Sequence, residues 1–337
     1  MPSIFILRIV SMPIIPLTHD RAGSSMVAPN LKETAMSQQQ KDALKELIRN
    51  APLDIGGDVI EQRANFEKML SARPLADDVR TTSGELGGVP VLNIETGEAR
   101  HDVVMLWFHG GWYGIGSPRT SAGLSSDLAR RVDAKVISVD YRLAPEHPYP
   151  AALQDASAAY RGLLDSGVDP RSIAIVGESA GGGLAVALLA SLAEDGLAQP
   201  ACAVLLSPWT DLTLSGETMT SMVGIDPVFT HEQVSVRAAE YVASADPTDP
   251  SISPIFADLH GVTPILIQAG SHEILLDDSI RLARLAAIDD VDITLDVTPG
   301  VPHGFQAFAA ILDEGDAALA RTAAFLDQHL SWAEGTV

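Results

Sequence analysis

Ser172-Ile-Ala-Ile-Val176-Gly177-Glu178-Ser179-Ala180-Gly181-Gly182 is a short apolar run that ends in a G-x-S-x-G pentapeptide and opens into a small-residue, helix-like stretch from Gly182 to Glu194. Strand, sharp turn and helix form the context that lifts such a pentapeptide above a chance match. A serine at a tight strand-to-helix turn sits in a strained backbone conformation with almost no room beside it. Its flanking positions must then be glycine, and its Oγ is pushed outward. The stretch reads as a nucleophile elbow with Ser179 as the nucleophile.

An elbow serine needs a base, an acid to orient that base and donors for an oxyanion, and on this type of sheet the partners follow in the order Ser, Asp or Glu, His. Downstream, the strand-like run Asp292-Ile-Thr-Leu-Asp-Val297 leads into Thr298-Pro-Gly-Val-Pro-His303-Gly-Phe305, which sets His303 in a turn at a strand end. The other histidines lie in less apt places and read as solvated or packed residues: His101 and His260 beside polar loop signals, His147 in a Pro-rich stretch, His19 in an atypical N-terminal tail. The acid should follow another strand, and Pro264-Ile-Leu-Ile-Gln-Ala269 is one. Glu273 is the first carboxylate after it and is the favoured acid. Asp277, the alternative, sits with Asp278 a helical turn later, where acidic residues are ordinary partners of a helix N-terminus.

Upstream, Val103-Val-Met-Leu-Trp-Phe108 reads as a buried strand running into His109-Gly110-Gly111-Trp112-Tyr113-Gly114-Ile-Gly116. Glycines there let the main chain turn its N–H groups toward a ligand. The amides of Gly111, Trp112 and Ala180 are the expected oxyanion donors, each such donor being typically worth about 3 kcal/mol in a transition state. A purely structural turn is the alternative. A dinucleotide loop is disfavoured, because Gly111-x-x-Gly114-x-Gly116 is not G-x-G-x-x-G and no Lys-Ser/Thr follows. Neither His231-Glu232 nor His272-Glu273 continues to H-E-x-x-H, so neither a metal nor a cofactor is expected.

Taken together, His109-Gly-Gly-Trp112, Asp140-Tyr-Arg-Leu-Ala-Pro-Glu-His-Pro-Tyr-Pro150, Gly177-Glu-Ser-Ala-Gly-Gly182 and His303-Gly-Phe305 resemble the hormone-sensitive-lipase-like branch of the α/β-hydrolases, the microbial family IV carboxylesterases. The resemblance spans roughly residues 75 to 330. It implies a serine carboxylesterase for short- or medium-chain acyl esters with a helical cap over the site. It assigns Ser179 as nucleophile, His303 as base, Glu273 as acid, and Gly111, Trp112 and Ala180 as oxyanion donors. The chain departs from the commonest family pattern at three places. Trp112 replaces a glycine and puts an indole at the pocket wall, Glu273-Ile-Leu275 stands where Asp-Pro-Leu is common, and Glu178 takes a position often held by aspartate.

With 337 residues, 46% of them hydrophobic, the chain suits one large α/β core with an appended cap. Its fold class is expected to be α/β, an α/β-hydrolase fold with a mostly parallel central sheet flanked by helices. Strand-like runs fall at 89–94, 103–108, 135–139, 172–176, 201–206, 264–269 and 292–297, with helical stretches between them. Residues 1–35 read as a disordered or extraneous extension. Arg8 interrupts the apolar Ile4 to Leu7 and prolines follow at positions 13 and 16, which argues against a signal segment or membrane span. Residues 36–74 carry apolar positions at helical spacing and are expected to form N-terminal cap helices. Residues 75–211 and 246–337 form the core, and 212–245 a cap insertion. Within that organisation Trp112, Tyr113, Met219, Phe229 and Phe305 are candidates for lining the substrate pocket, although such residues often serve plain packing.

The single cysteine, Cys202, excludes an internal disulfide and reads as a small buried hydrophobe. The balance of 44 acidic to 22 basic residues, a net charge of -22, repels nucleic acid and anionic membranes. The expected partner is a small ester substrate, with no nucleic acid and no stable membrane insertion. A cytoplasmic location is expected, and a homodimer through exposed sheet edges is considered. A lactonase or amidase would use the same triad. A non-catalytic receptor on this scaffold is disfavoured by the presence of Ser179, His303 and both donor loops.

Overall fold

Alternating side chains send a strand's apolar residues to both faces of a sheet, and a sheet that is apolar on both faces needs a covering layer on each. The computed structural model describes residues 31–51, 53–71, 74–97 and 103–330. Its strands are β1 (Val79–Leu86), β2 (Val89–Thr96), β3 (Val104–Phe108), β4 (Lys135–Val139), β5 (Ile173–Glu178), β6 (Cys202–Leu206), β7 (Ile265–His272) and β8 (Ile293–Pro302). They form one eight-stranded sheet in the order β1-β2-β4-β3-β5-β6-β7-β8. β1 and β2 form an antiparallel hairpin, β2 lies antiparallel to β4, and every other pairing is parallel. This is the α/β-hydrolase fold that the sequence predicts.

The helices are α1 (Leu31–Arg49) and α2 (Val59–Ser71) ahead of the sheet, α3 (Ala122–Val132), α4 (Ala151–Asp165) and α5 (Ala180–Glu194) as crossovers, α6 (Thr218–Ser221) and α7 (His231–Val242) between β6 and β7, then α8 (Leu276–Ile288) and α9 (Asp313–His329). Val104, Leu106, Phe108, Ile173, Ile175, Ala203 and Leu205 point to one face and pack with residues of α4, α5 and α8. Met105, Trp107, Ala174, Val176, Cys202 and Val204 point to the other and pack with α3 and α9. The two-residue period thus builds a three-layer core. Cys202 is part of it, with burial pushing its thiol up to about 12, the state of an inert hydrophobe.

Two elements differ from the sequence-based expectation. β1 is an added strand whose residues Arg80 to Glu85 are exposed, so it lacks the apolar alternation by which its neighbours are recognised. α1 begins at Leu31, and residues 31–35 of the stretch read as an extension are therefore helical. Residues 1–30 of that extension, including His19, lie outside the described residues, as does His101.

Two arginines anchor the N-terminal segment expected to form part of the cap, one to the insertion and one to the loops after β3 and β4. Thr230 and Gln233 start α7 with a reciprocal capping box, and α7 carries the buried Arg237 toward the N-terminal segment. Arg237 donates through Nε to Ile55 O at 2.6 Å and through Nη2 to Gly57 O, and it pairs with Glu240. On α2, Arg63 donates to Gly114 O and Ala144 O, each at 2.8 Å, and forms a two-pronged pair with Glu146. Buried carbonyls need donors, and these two guanidiniums supply them where the N-terminal segment meets the insertion helix and the loops after β3 and β4.

Candidate active site

The loops after β3, β5, β6, β7 and β8 gather at the carboxyl ends of the parallel strands, where an open α/β sheet places its ligands. Ser179 follows β5 directly and has φ 51° and ψ −118°, a strained conformation for a non-glycine residue. Its carbonyl accepts from the amides of Gly182, Gly183 and Trp209 at 2.9, 3.2 and 2.9 Å, which fixes the turn. The Ser179 Oγ is buried and has no hydrogen-bond partner among the described residues. A Cβ on Gly177 would lie 2.2 Å from Gly181 O, which explains the glycine before the serine.

His303 and Glu273 meet: Nδ1 of the imidazole lies 2.6 Å from Oε2 of the carboxylate. Glu273 is fully buried, and its second oxygen accepts from the Gly270 amide at 2.7 Å and the Ser207 hydroxyl at 3.2 Å. Asp277 is engaged elsewhere, accepting from the Thr218 amide at the start of α6 at 3.1 Å. Glu273, not Asp277, is therefore the carboxylate brought to His303.

The loop after β3 bends through three successive left-handed residues, Gly111 (φ 123°), Trp112 (φ 55°) and Tyr113 (φ 58°). Two consecutive bulky residues in that region are uncommon and costly. The bend is braced by the Gly114 and Ile115 amides donating to Gly111 O and by Ala144 N donating to Tyr113 O. The amides of Gly111, Trp112 and Ala180 donate to no acceptor among the described residues. Ala180 also opens α5, so its amide lies at the positive end of that helix.

Three further motif residues, Glu178, Tyr141 and His109, brace the loop after β3. Glu178 accepts from the Gly110 amide at 3.0 Å; burial raises its carboxyl, while that amide and the charge of His303 oppose the rise. Tyr141 donates to His109 O at 2.7 Å and stacks on the His109 ring. Burial holds His109 down at about 4, so it is a neutral packing residue whose Nδ1–H donates to Gly110 O. Asp226, in the insertion, accepts from the amides of Val228 and Phe229 through one oxygen and from Ile274 through the other. It thereby straps the insertion to the residue after Glu273.

That strap seats Phe229 edge-on against His303, with ring centroids 4.5 Å apart, and Trp112 meets Phe229 at 5.2 Å and Phe66 of α2 at 6.2 Å. Of the candidate pocket residues, Phe229 is brought to His303 and Trp112 to Phe229. Tyr113 is stacked on Tyr241 and Met219 is buried in the main core. Phe305 packs with Leu44, Val301, Leu312 and Ala318. Gly304, at φ 64°, turns the chain between His303 and Phe305.

Behind the site, Asp278 is buried and accepts from the Thr210 and Asp211 amides at 2.7 and 2.8 Å. Burial nevertheless pushes its carboxyl up to about 8. A folded-state value above the unfolded one makes the folded protein hold an extra proton, so this group's contribution to stability is fully present below about pH 4 and is lost as pH rises through 8. Asp278→Asn keeps an acceptor for both amides and cannot ionise. Between pH 5 and pH 8 it should gain at least about 1 kcal/mol relative to wild type, against a limiting slope of about 1.4 kcal/mol per pH unit, measured by urea unfolding at both values. Parallel stability curves would show that Asp278 does not titrate in this window.

Among the described residues, Asp258, His260 and Asp289 are close enough together to hold a metal ion. They precede β7 and close α8, at the end of the sheet opposite Ser179, and His260 Nδ1 already pairs with Asp258 at 2.6 Å. No helix among the described residues is long and apolar enough to cross a membrane.

A model of the alpha/beta hydrolase fold family matches residues 105–307. Over 222 residues the chain is 40% identical to an acetyl-hydrolase of Streptomyces hygroscopicus, covering 66% of this chain and 74% of that protein. It is equally 40% identical over 218 residues to an esterase of Acinetobacter venetianus, covering 64% and 72%. The crystal structure of an esterase from the bacterial hormone-sensitive lipase family superposes with a TM-score of 0.84 at 42% identity, covering 87% of this chain and 99% of that one. The chain belongs to the α/β-hydrolase fold family, in its bacterial hormone-sensitive-lipase branch. Its enzyme class is that of the carboxylic ester hydrolases.

Proposed function

We propose that this enzyme hydrolyses short- to medium-chain acyl esters by two-step acyl transfer on Ser179. The observation that carries the reading is the 2.6 Å contact between His303 Nδ1 and the fully buried Glu273 carboxylate, at the same end of the sheet as the strained elbow of Ser179. His303 takes the Ser179 proton as Oγ attacks the ester carbonyl. The oxyanion rests on the amides of Gly111, Trp112 and Ala180, and the C–O bond breaks as His303 returns the proton to the leaving alkoxide. Water, deprotonated by His303, then attacks the acyl-enzyme; the carboxylic acid leaves and Ser179 regains its proton. Glu273 fixes the imidazole tautomer and stabilises its cation without taking the proton.

The aromatic wall of Trp112, Phe229 and Phe66 supports a site of limited length, as does the similarity to an acetyl-hydrolase. The reading is tested with p-nitrophenyl esters from acetate to palmitate together with labelling by a diethyl phosphoryl inhibitor. The expected result is a kcat/KM that peaks between acetate and hexanoate and falls at least about tenfold by decanoate, since pockets discriminate by increments per methylene. The phosphoryl adduct should sit on the Ser179 peptide. A label on any other residue, or turnover that inhibitor leaves intact, overturns the reading.

A further inference from the structure

We propose that Ser207 is a positioning residue for the triad, its hydroxyl linking the acid Glu273 to the turn that carries the base His303. The inference rests on the esterase reading and deepens it. Ser207 follows β6 and is fully buried, and its amide donates to Gln268 O of β7 at 2.7 Å. Its Oγ lies 3.2 Å from Glu273 Oε1 and 3.2 Å from the Gly304 amide nitrogen. The direction of both bonds follows from the partners. An ionised carboxylate only accepts and a backbone N–H only donates, so the single hydroxyl proton goes to Glu273 and a lone pair receives Gly304. One side chain thus holds the carboxylate on one side and the residue next to His303 on the other.

Two physical features make this more than incidental packing. A fully buried carboxylate requires donors on its free lone pairs, and Ser207 and Gly270 together supply Oε1 while His303 occupies Oε2. Ser207 also sits at φ 48°, in the left-handed region where glycine is cheapest. A serine held there carries backbone strain that its two hydrogen bonds offset. His303 has two other carboxylates within electrostatic reach, Glu178 and Asp226. Fixing the Glu273 carboxylate and the Gly304 turn relative to each other selects the productive partner among the three.

The test uses Ser207→Gly, which relieves the backbone while removing the hydroxyl, beside Ser207→Ala, which keeps the strain. Both are expected to lose kcat by about ten- to a hundredfold with KM within about twofold, the effect of a misplaced base on a bound substrate. A second readout needs no turnover. The Nδ1–H proton of His303, assigned by its loss in His303→Gln, should give a low-field proton NMR resonance that is displaced or lost to exchange in both Ser207 variants. Wild-type kcat with an unmoved resonance overturns the proposal. So does a fall in rate that only tracks a lowered melting temperature while the resonance stays in place. Should the wild type show no turnover that Ser179→Ala removes, the esterase reading fails on its own account, and the resonance alone decides for or against Ser207.

Discussion

Ser179→Ala is expected to lower kcat/KM for p-nitrophenyl butyrate by about 10⁵-fold or more, with His303→Ala close behind and the double variant little worse than either. The non-additivity follows from the chemistry. Without the imidazole the hydroxyl is a poor nucleophile, and without the hydroxyl the base has nothing to activate, so each loss removes the same step. Glu273→Gln should cost less, about 10³- to 10⁴-fold, because the amide can present a donor to Nδ1 and so favour the wrong tautomer while leaving nucleophile and base in place. Stability should separate from rate in this series. The Ser179 Oγ has no hydrogen-bond partner among the described residues, and alanine inherits the same φ of 51°. The melting temperature of Ser179→Ala should therefore match wild type. Glu273→Gln keeps an acceptor for the Gly270 amide and the Ser207 hydroxyl but replaces the charge-assisted bond to His303 with a neutral one, and should melt lower. A Ser179→Ala enzyme that retains a hundredth of wild-type activity would assign the chemistry to another group.

The elbow, the glycine-rich turn after β3 and the strands that carry them are legible because each is encoded locally. A run such as Ile173 to Val176 must be buried on both faces, and glycines at 177 and 181 are needed where backbone meets backbone. What the sequence hides is set by non-local packing. β1 reads as a polar stretch because it is an exposed edge strand whose partner residues, Val89 to Thr96, supply the pairing. Nothing in Gly111-Trp112-Tyr113 announces that two aromatic residues would follow the glycine into the left-handed region, nor that one would face Phe229 and the other Tyr241. Phe305 is two residues from His303 in sequence, yet the turn at Gly304 sends it into the cluster under α1 and α9.

The same contrast holds among the carboxylates. Glu273, Asp277 and Asp278 lie within six residues of one another, and spacing alone favours the first without excluding the second. The structure separates their environments. Glu273 meets His303, Asp277 turns to α6, and Asp278 caps the Thr210 and Asp211 amides. Ser207 and Asp226 were invisible as site residues because serine and aspartate are common in loops. Only the fold shows that one touches Glu273 and the other the amide that follows it.

Gly181→Ala carries the largest effect expected on folding, a destabilisation of more than about 4 kcal/mol that leaves little soluble native enzyme. An ideal Cβ at this position would lie 2.0 Å from Phe108 O and 2.6 Å from His109 O, both backbone atoms that no rotamer change can move. Phe108 ends the central strand β3, and His109 begins the donor loop, so relief requires parting α5 from the middle of the sheet. Gly123→Ala is the matched control. It lies in α3, a Cβ there meets nothing within 4 Å, and helical propensity predicts a change of up to about 1 kcal/mol in the stabilising direction. Thermal melts of the two variants decide the point, and a Gly181→Ala protein that melts within a few degrees of wild type would mean the two backbones do not pack this closely. The contact matters beyond stability. The missing side chain at Gly181 lets the elbow helix press against the end of β3, where the chain turns into the Gly110-Gly111-Trp112 loop. A glycine whose sequence role is to flank a nucleophile therefore also sets the distance between the two halves of the site.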